Sequence, residues 1–273
     1  YLALPMILQN AITNLVSFLD NIMVGQLGTE QMSGVAIVNQ LIFVYNLAIF
    51  GAASAASIFG AQYYGKGNHK GHMYSFRFKL YATLLVTGLT ILLFATKGAD
   101  LISLYLTDTA GSGATGVALQ YGLEYLGIMM VGLVPFAVNQ SYATNIKETG
   151  QTLVPMIASF VAVGSNAVLD YLFIFPLGMG MLGAVLATAC APLIGITIQS
   201  FYFRKPTCQI RVRPCRLRWQ MFQPIFLLGG AEWITEVASG IVIFCFNFVV
   251  LRKAGNTGVA AYGIIANIAL VAA

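Results

Sequence analysis

Residues 204–224 read RKPTCQIRVRPCRLRWQMFQP, and this stretch decides how the rest of the chain is divided. It carries six basic side chains, Arg204, Lys205, Arg211, Arg213, Arg216 and Arg218, and is the longest polar connection in the 273 residues. On either side the chain is apolar: charged residues make up only 8% of the sequence and hydrophobic ones 58%, with a mean hydropathy of +0.80. A soluble domain carries about 25% charged residues, and so few charges cannot cover a surface that faces water. The composition therefore predicts an all-α polytopic membrane protein, and excludes disordered, collagen-like and disulfide-framework chains. The net charge of +5 would also suit a nucleic-acid partner. However, the basic residues lie between apolar runs rather than on one soluble face, so no nucleic acid is expected.

A bilayer core of ~30 Å takes ~20 helical residues to cross. Runs of that length precede the basic stretch at 2–25, 32–60, 73–96, 118–142, 153–177 and 181–203, and follow it at 224–250 and from 258 onward. Pro5, Pro135, Pro155 and Pro192 fall inside these runs and are read as kinks, which membrane helices tolerate. The sequence GTEQMSGVAIVNQL around Asn39 is echoed by GNTGVAAYGIIANIAL around Asn267, 228 residues later. Each copy follows a polar-striped span that begins near a proline, Pro5 or Pro224. This repeat predicts a six-helix lobe over 1–203, a basic cytoplasmic linker over 204–223, and over 224–273 the first two helices of a second lobe. Six spans is an even number, so the copies enter the membrane in the same sense, as parallel repeats do in many transporters. The chain opens with Tyr1 and stops inside an apolar run at Ala273, so a longer parent protein is expected.

Orientation follows the lysines and arginines. The 2–3 connection is read as holding Lys66, Lys70, Arg77 and Lys79, the 4–5 connection Lys147, and the linker its six. The alternate connections hold only Lys97, Arg252 and Lys253, which puts the amino terminus in the cytoplasm. An anionic-lipid site in the linker is the lesser alternative to a plain positive-inside connection. Other motifs carry no chemistry. Cys190, Cys208, Cys215 and Cys245 form no C-x-x-C pair and have no histidine at ligand spacing. GSGATG at 111–116 follows no strand and reads as an external loop. His69 and His72 stand among lysines in GKGNHKGH and read as a solvated turn, and Tyr63 and Tyr64 as interfacial aromatics. Asn139-Gln140-Ser141 lies at the cytoplasmic end of its span, away from the glycosylation machinery.

Carboxylates within the spans are the functional clue, because each costs roughly 2.5–3.5 kcal/mol at a helix centre. In the first span Asn10, Thr13, Asn14, Ser17, Asp20 and Asn21 fall on one helical stripe. In the fifth, Asn166 and Asp170 are spaced i and i+4, with Ser159 two turns earlier. In the seventh, Glu232, Thr235, Glu236 and Ser239 share a face, Glu236 deeper than Glu232. A carboxylate in a wet cavity within lipid can exchange a proton, and with a neighbouring amide can also coordinate a sodium ion. Asp20, Asn166 and Asp170 are thus the candidate cation or proton site, with Glu236 a second-lobe acidic candidate. Asn14, Ser17 and Asn39 are supporting cavity residues, joined by Asn46 one heptad beyond Asn39. For Asn39 and Asn46, helix-packing amides are an equal reading.

LPMI at Pro5, FLDNIMVGQLGTEQMSGVAIVNQ at Asp20, KETGQTLVPMIAS at Pro155, SNAVLDYLFIFPLGMGMLGAVLATA at Asn166 and Asp170, and TEVASGIVIFCFN at Glu236 occur in this order. Together they resemble the multidrug and toxic compound extrusion (MATE) family. The resemblance implies twelve helices in two lobes and an antiporter that exports cationic or amphiphilic small molecules against an inward sodium or proton gradient. It requires no cofactor beyond the coupling ion. By position it matches Asp20, Asn166 and Asp170 to the amino-terminal-lobe cation site, Pro5 to a bending proline of the first helix, and Glu236 to an acidic residue of the seventh. It implies a multi-pass protein of a bacterial-type inner membrane, monomeric at full length, and not an enzyme. The alternatives are a lipid-linked sugar flippase, which needs a cationic cavity, and an intramembrane aspartyl protease, whose Gly-x-Gly-Asp element is missing because both aspartates here follow leucine. A passive channel would not drive uphill movement of a dye.

Overall fold

The computed structural model describes residues 29–106 and 112–204, and beyond them 223, 230–231, 233–243, 245–250 and 252–253. Pro5, Asn14, Ser17 and Asp20 lie outside the described residues, as do most of the linker and the second copy of the repeat.

Every described element is helical: α1 Thr29–Gly65, α2 His69–Leu106, α3 Ser112–Glu148, α4 Leu153–Ile174, α5 Met181–Phe203 and α6 Trp233–Val250. Each has a stretch long and apolar enough to cross a membrane, and the six correspond to the second to seventh spans read from the sequence. The fifth and sixth spans were read closely, α5 at its observed bounds and α4 running three residues less far than expected. The first three helices are longer than expected. At 37, 38 and 37 residues each is roughly 55 Å long, nearly twice the hydrocarbon thickness.

The reason is that a charge does not end a helix. Arg77 and Lys79, read as loop residues, sit in the third turn of α2, and Lys147 in the last turn of α3. The connection between α1 and α2 is only Lys66, Gly67 and Asn68. Gly67 takes φ +69°, and the Asn68 side-chain oxygen accepts the Gly71 N–H at 3.0 Å, capping the start of α2. GSGATG is likewise not wholly a loop, since α3 begins at Ser112. Pro135 and Pro192 do fall inside helices, but Pro155 is the third residue of α4, where its missing N–H costs no helical bond.

Lipid is as apolar as leucine, so close backbone approach and polar bonds must hold membrane helices together. α1, α2 and α3 pack on one another, α5 lies on α3, and α4 packs on α5 while touching α3 only lightly. Val38, Ile49, Ile102 and Leu126 fill the centre of the first three. Gly34 lets α1 meet α3, because a Cβ there would stand 2.7 Å from the Ala118 carbonyl oxygen. The Tyr45 hydroxyl donates to the Leu133 carbonyl at 3.0 Å and shares a second bond, also 3.0 Å, with Thr87, so one side chain of α1 ties α2 and α3. Thr83 and Ser141 join α2 to α3 at 2.8 Å, and Gln199 of α5 donates to Asn139 of α3 at 3.1 Å. Outward, Leu85, Leu89, Val131, Phe160 and Val168 are exposed, as lipid-facing side chains should be.

α6 runs antiparallel along α1. The Trp233 indole N–H donates to the Ala48 carbonyl at 3.1 Å, Gly240 faces Leu47 and Val44, and the Asn247 amide donates to Gln40 at 3.2 Å.

Candidate cation site

Asn166 and Asp170 stand one turn apart on the single buried face of α4. That face is Pro155, Ala158, Ala162, Asn166, Asp170 and Ile174, a row at three- and four-residue spacing, whereas Ile157, Phe160, Val161, Val168 and Tyr171 are exposed. Periodicity of 3.6 leaves such a helix one inward stripe, and on α4 that stripe changes from small apolar residues to an amide and a carboxylate. Asp170 is fully buried, and the Asn166 side-chain nitrogen is buried without a hydrogen-bond partner among the described residues. The helix continues unbroken to Ile174, so the pair does not cap a broken end. Two carboxylate oxygens and an amide oxygen on one face form an oxygen-rich donor set suited to a hard cation, and the carboxylate alone can carry a proton.

The other sequence candidates fall elsewhere. Asn39, half-buried on α1, accepts the Tyr125 hydroxyl at 3.4 Å, which makes it a contact between α1 and α3. Asn46 is half-buried on the same helix. Glu236 is half-buried on α6, and its Cβ stands close to Gly51 of α1, 3.0 Å from where a Cβ on that glycine would lie. Glu232 and Asp20 lie outside the described residues, so the described part of the site is Asn166 with Asp170.

A second buried polar group was missed. Lys79 of α2 donates to Glu148 at the end of α3, with both side chains nearly inaccessible, at 0% and 5% exposure. His72, expected in a solvated turn, is buried beside them. Its Nδ1 lies 3.1 Å from the Gly60 carbonyl of α1 and its Nε2 3.0 Å from Asn145 Oδ1 of α3. His69 does remain exposed, with its ring 6.4 Å from that of Tyr64. The signal was present in the sequence: His72, Ser75, Lys79, Thr83 and Thr87 repeat at i, i+3, i+7, i+11 and i+15, and all five are buried. Reading Arg77 and Lys79 as a loop hid that stripe.

Residues 5–172 match the MatE family model. The chain is 27% identical over 275 aligned residues to the multidrug export protein MepA of Staphylococcus haemolyticus strain JCSC1435, covering 97% of this chain and 57% of that protein. It is 25% identical to a probable multidrug resistance protein, NorM, of Thermotoga maritima, covering 89% of this chain and 52% of that one. The chain thus spans about half the length of the curated relatives it matches. Among solved structures it is similar in fold to a MOP superfamily transporter from Pyrococcus furiosus, with TM-score 0.81 and 23% identity over 99% of this chain and 59% of that one. An outward-facing multidrug resistance MATE family transporter gives the same TM-score, identity and coverage. The six apolar helices, the order of the sequence motifs and a family match over more than half of the residues converge: this chain belongs to the MatE family of multidrug and toxic compound extrusion transporters.

Proposed function

We propose that the full protein is a cation-coupled antiporter that exports cationic or amphiphilic small molecules, and that Asp170 with Asn166 forms the described part of its cation site. The observation that carries this reading is the placement of a carboxylate and an amide, one turn apart, on the only buried face of a lipid-spanning helix. A carboxylate held in lipid is costly, so its retention favours a use, and a sodium ion or a proton is the ligand its oxygens suit. The multidrug names of the relatives support small molecules as the transported species.

Coupling requires that the ion bind one conformation more tightly than the other. An ion with equal affinity for both shifts nothing, and a few kcal/mol of difference is enough to reverse the populations. In this mechanism two six-helix lobes rock about a central cavity, and filling or emptying the site at Asp20, Asn166 and Asp170 changes the affinity for substrate. Glu236, on the helix that lies along α1, is the acidic group that acts from the second lobe in this reading. The amino terminus is cytoplasmic and the membrane is the cell membrane. Burial of Lys79 removes one charge from the positive-inside bias, and the linker and the Lys66–Lys70 turn still carry it.

The test is efflux of a fluorescent cation from vesicles containing the full-length protein, with sodium and proton gradients imposed separately. One gradient should drive uphill export, and Asp170→Asn should abolish it while membrane insertion persists. Undiminished efflux by that variant rejects the site, and downhill movement only rejects antiport.

A further inference from the structure

We propose that His72, Asn145 and Glu148 form a proton-binding site at the junction of α1, α2 and α3, separate from the pair on α4. The argument begins with donors and acceptors. The Gly60 carbonyl, 3.1 Å from His72 Nδ1, can only accept, so Nδ1 carries a hydrogen. Nε2 faces Asn145 Oδ1 at 3.0 Å, which is again an acceptor. In this setting of the amide both ring nitrogens donate, the arrangement that suits an imidazolium. Rotating the Asn145 amide by half a turn presents its NH2 instead, and Nε2 then accepts as a neutral imidazole. Asn145 is thus a rotor whose two settings match the two protonation states of the ring. Its Nδ2 is buried without a hydrogen-bond partner in the present setting.

Charge is arranged for the same purpose. Lys79 and Glu148 neutralise each other through Glu148 Oε1, while Oε2, buried and accepting no hydrogen bond, stands 3.9 Å from His72 Nε2. A proton on the ring therefore meets a carboxylate oxygen already in place. Gly60 makes room for it, since a Cβ at that position would collide with the Glu148 carboxylate. The charged and titratable groups facing the ring are Lys79 from its own helix, Glu148 from α3 and the Tyr64 ring from α1, 5.4 Å away. α5 reaches this end of the bundle through Phe203, which packs on Phe76 and Tyr142, while Arg204 stacks over Phe201 instead. Water is near: His72 lies one turn into α2 from the exposed residues 65–70. The proton passes from that water to Nε2, no covalent bond to carbon changes, and the ring then clasps a carbonyl of α1 and two side chains of α3.

The experiment is 15N NMR of the full-length protein with ring-labelled histidine, titrated from about pH 5 to 9, the range in which imidazoles change charge. The His72 signal, assigned by its loss in His72→Gln, should convert from neutral to imidazolium as the pH falls. Glu148→Gln should move the midpoint down by about one pH unit, and Asn145→Asp should move it up. Asp170→Asn should leave it where it was, which separates this site from the transport reading. A His72 ring that stays in one protonation state throughout, or a midpoint the same in whichever of the two cluster variants folds, overturns the proposal.

Discussion

Two places in this bundle bury carboxylates, and they are built differently. At the junction of α1, α2 and α3, Glu148 of α3 is met by Lys79 and His72 of α2, so the protein supplies the balancing charge itself. On α4 the buried stripe supplies a carboxylate and an amide and no basic residue. A buried ion pair with its hydrogen bonds in place is held by structure, and removing one partner strands the other. A carboxylate one turn from an amide offers oxygens that a cation or a proton can use. Burial alone therefore does not mark a transport site, and what each buried carboxylate is set beside distinguishes the two regions.

That contrast can be broken by mutation. The largest effect is expected for Lys79→Met, which leaves Glu148 buried without its cation and should cost about 3–5 kcal/mol of stability. Thermal unfolding of the solubilised full-length protein measures it, and Lys79→Met combined with Glu148→Gln should recover most of the loss. Equal losses in the single and double variants would mean that the two groups do not act as a charge pair. A smaller effect, about 1–3 kcal/mol, is expected for Gly60→Ala, whose methyl group must push the Glu148 carboxylate aside. A wild-type melting temperature for that variant would show that α1 does not press on the junction.

Much of this was legible in the sequence, for identifiable reasons. Asn166 and Asp170 are four residues apart on a helix with one inward stripe, so their common face follows from periodicity alone, and the structure places them there. The span over α5 was bounded correctly because Gly180 and Arg204 flank an uninterrupted apolar run. The junction of α1, α2 and α3 was not legible in the same way. Lys79 and Glu148 are 69 residues apart, and no local pattern says that they meet. Lysines near a turn were taken as the turn itself, although Asn68 caps the helix before any of Arg77, Lys79 or His72. Tyr45 is a related case: its hydroxyl binds α2 and α3 at once, a role fixed by tertiary packing.

The central claim, that Asp170 carries the exchangeable ion, is tested most directly by what substrate binding expels. A fluorescent cation added to the solubilised full-length protein should release a proton into weakly buffered solution, or displace bound radioactive sodium. Asp170→Asn should bind the ion and release it no longer, while its unfolding midpoint stays close to that of the wild type. Equal release from the variant and the wild type would contradict the account and place the coupling ion elsewhere.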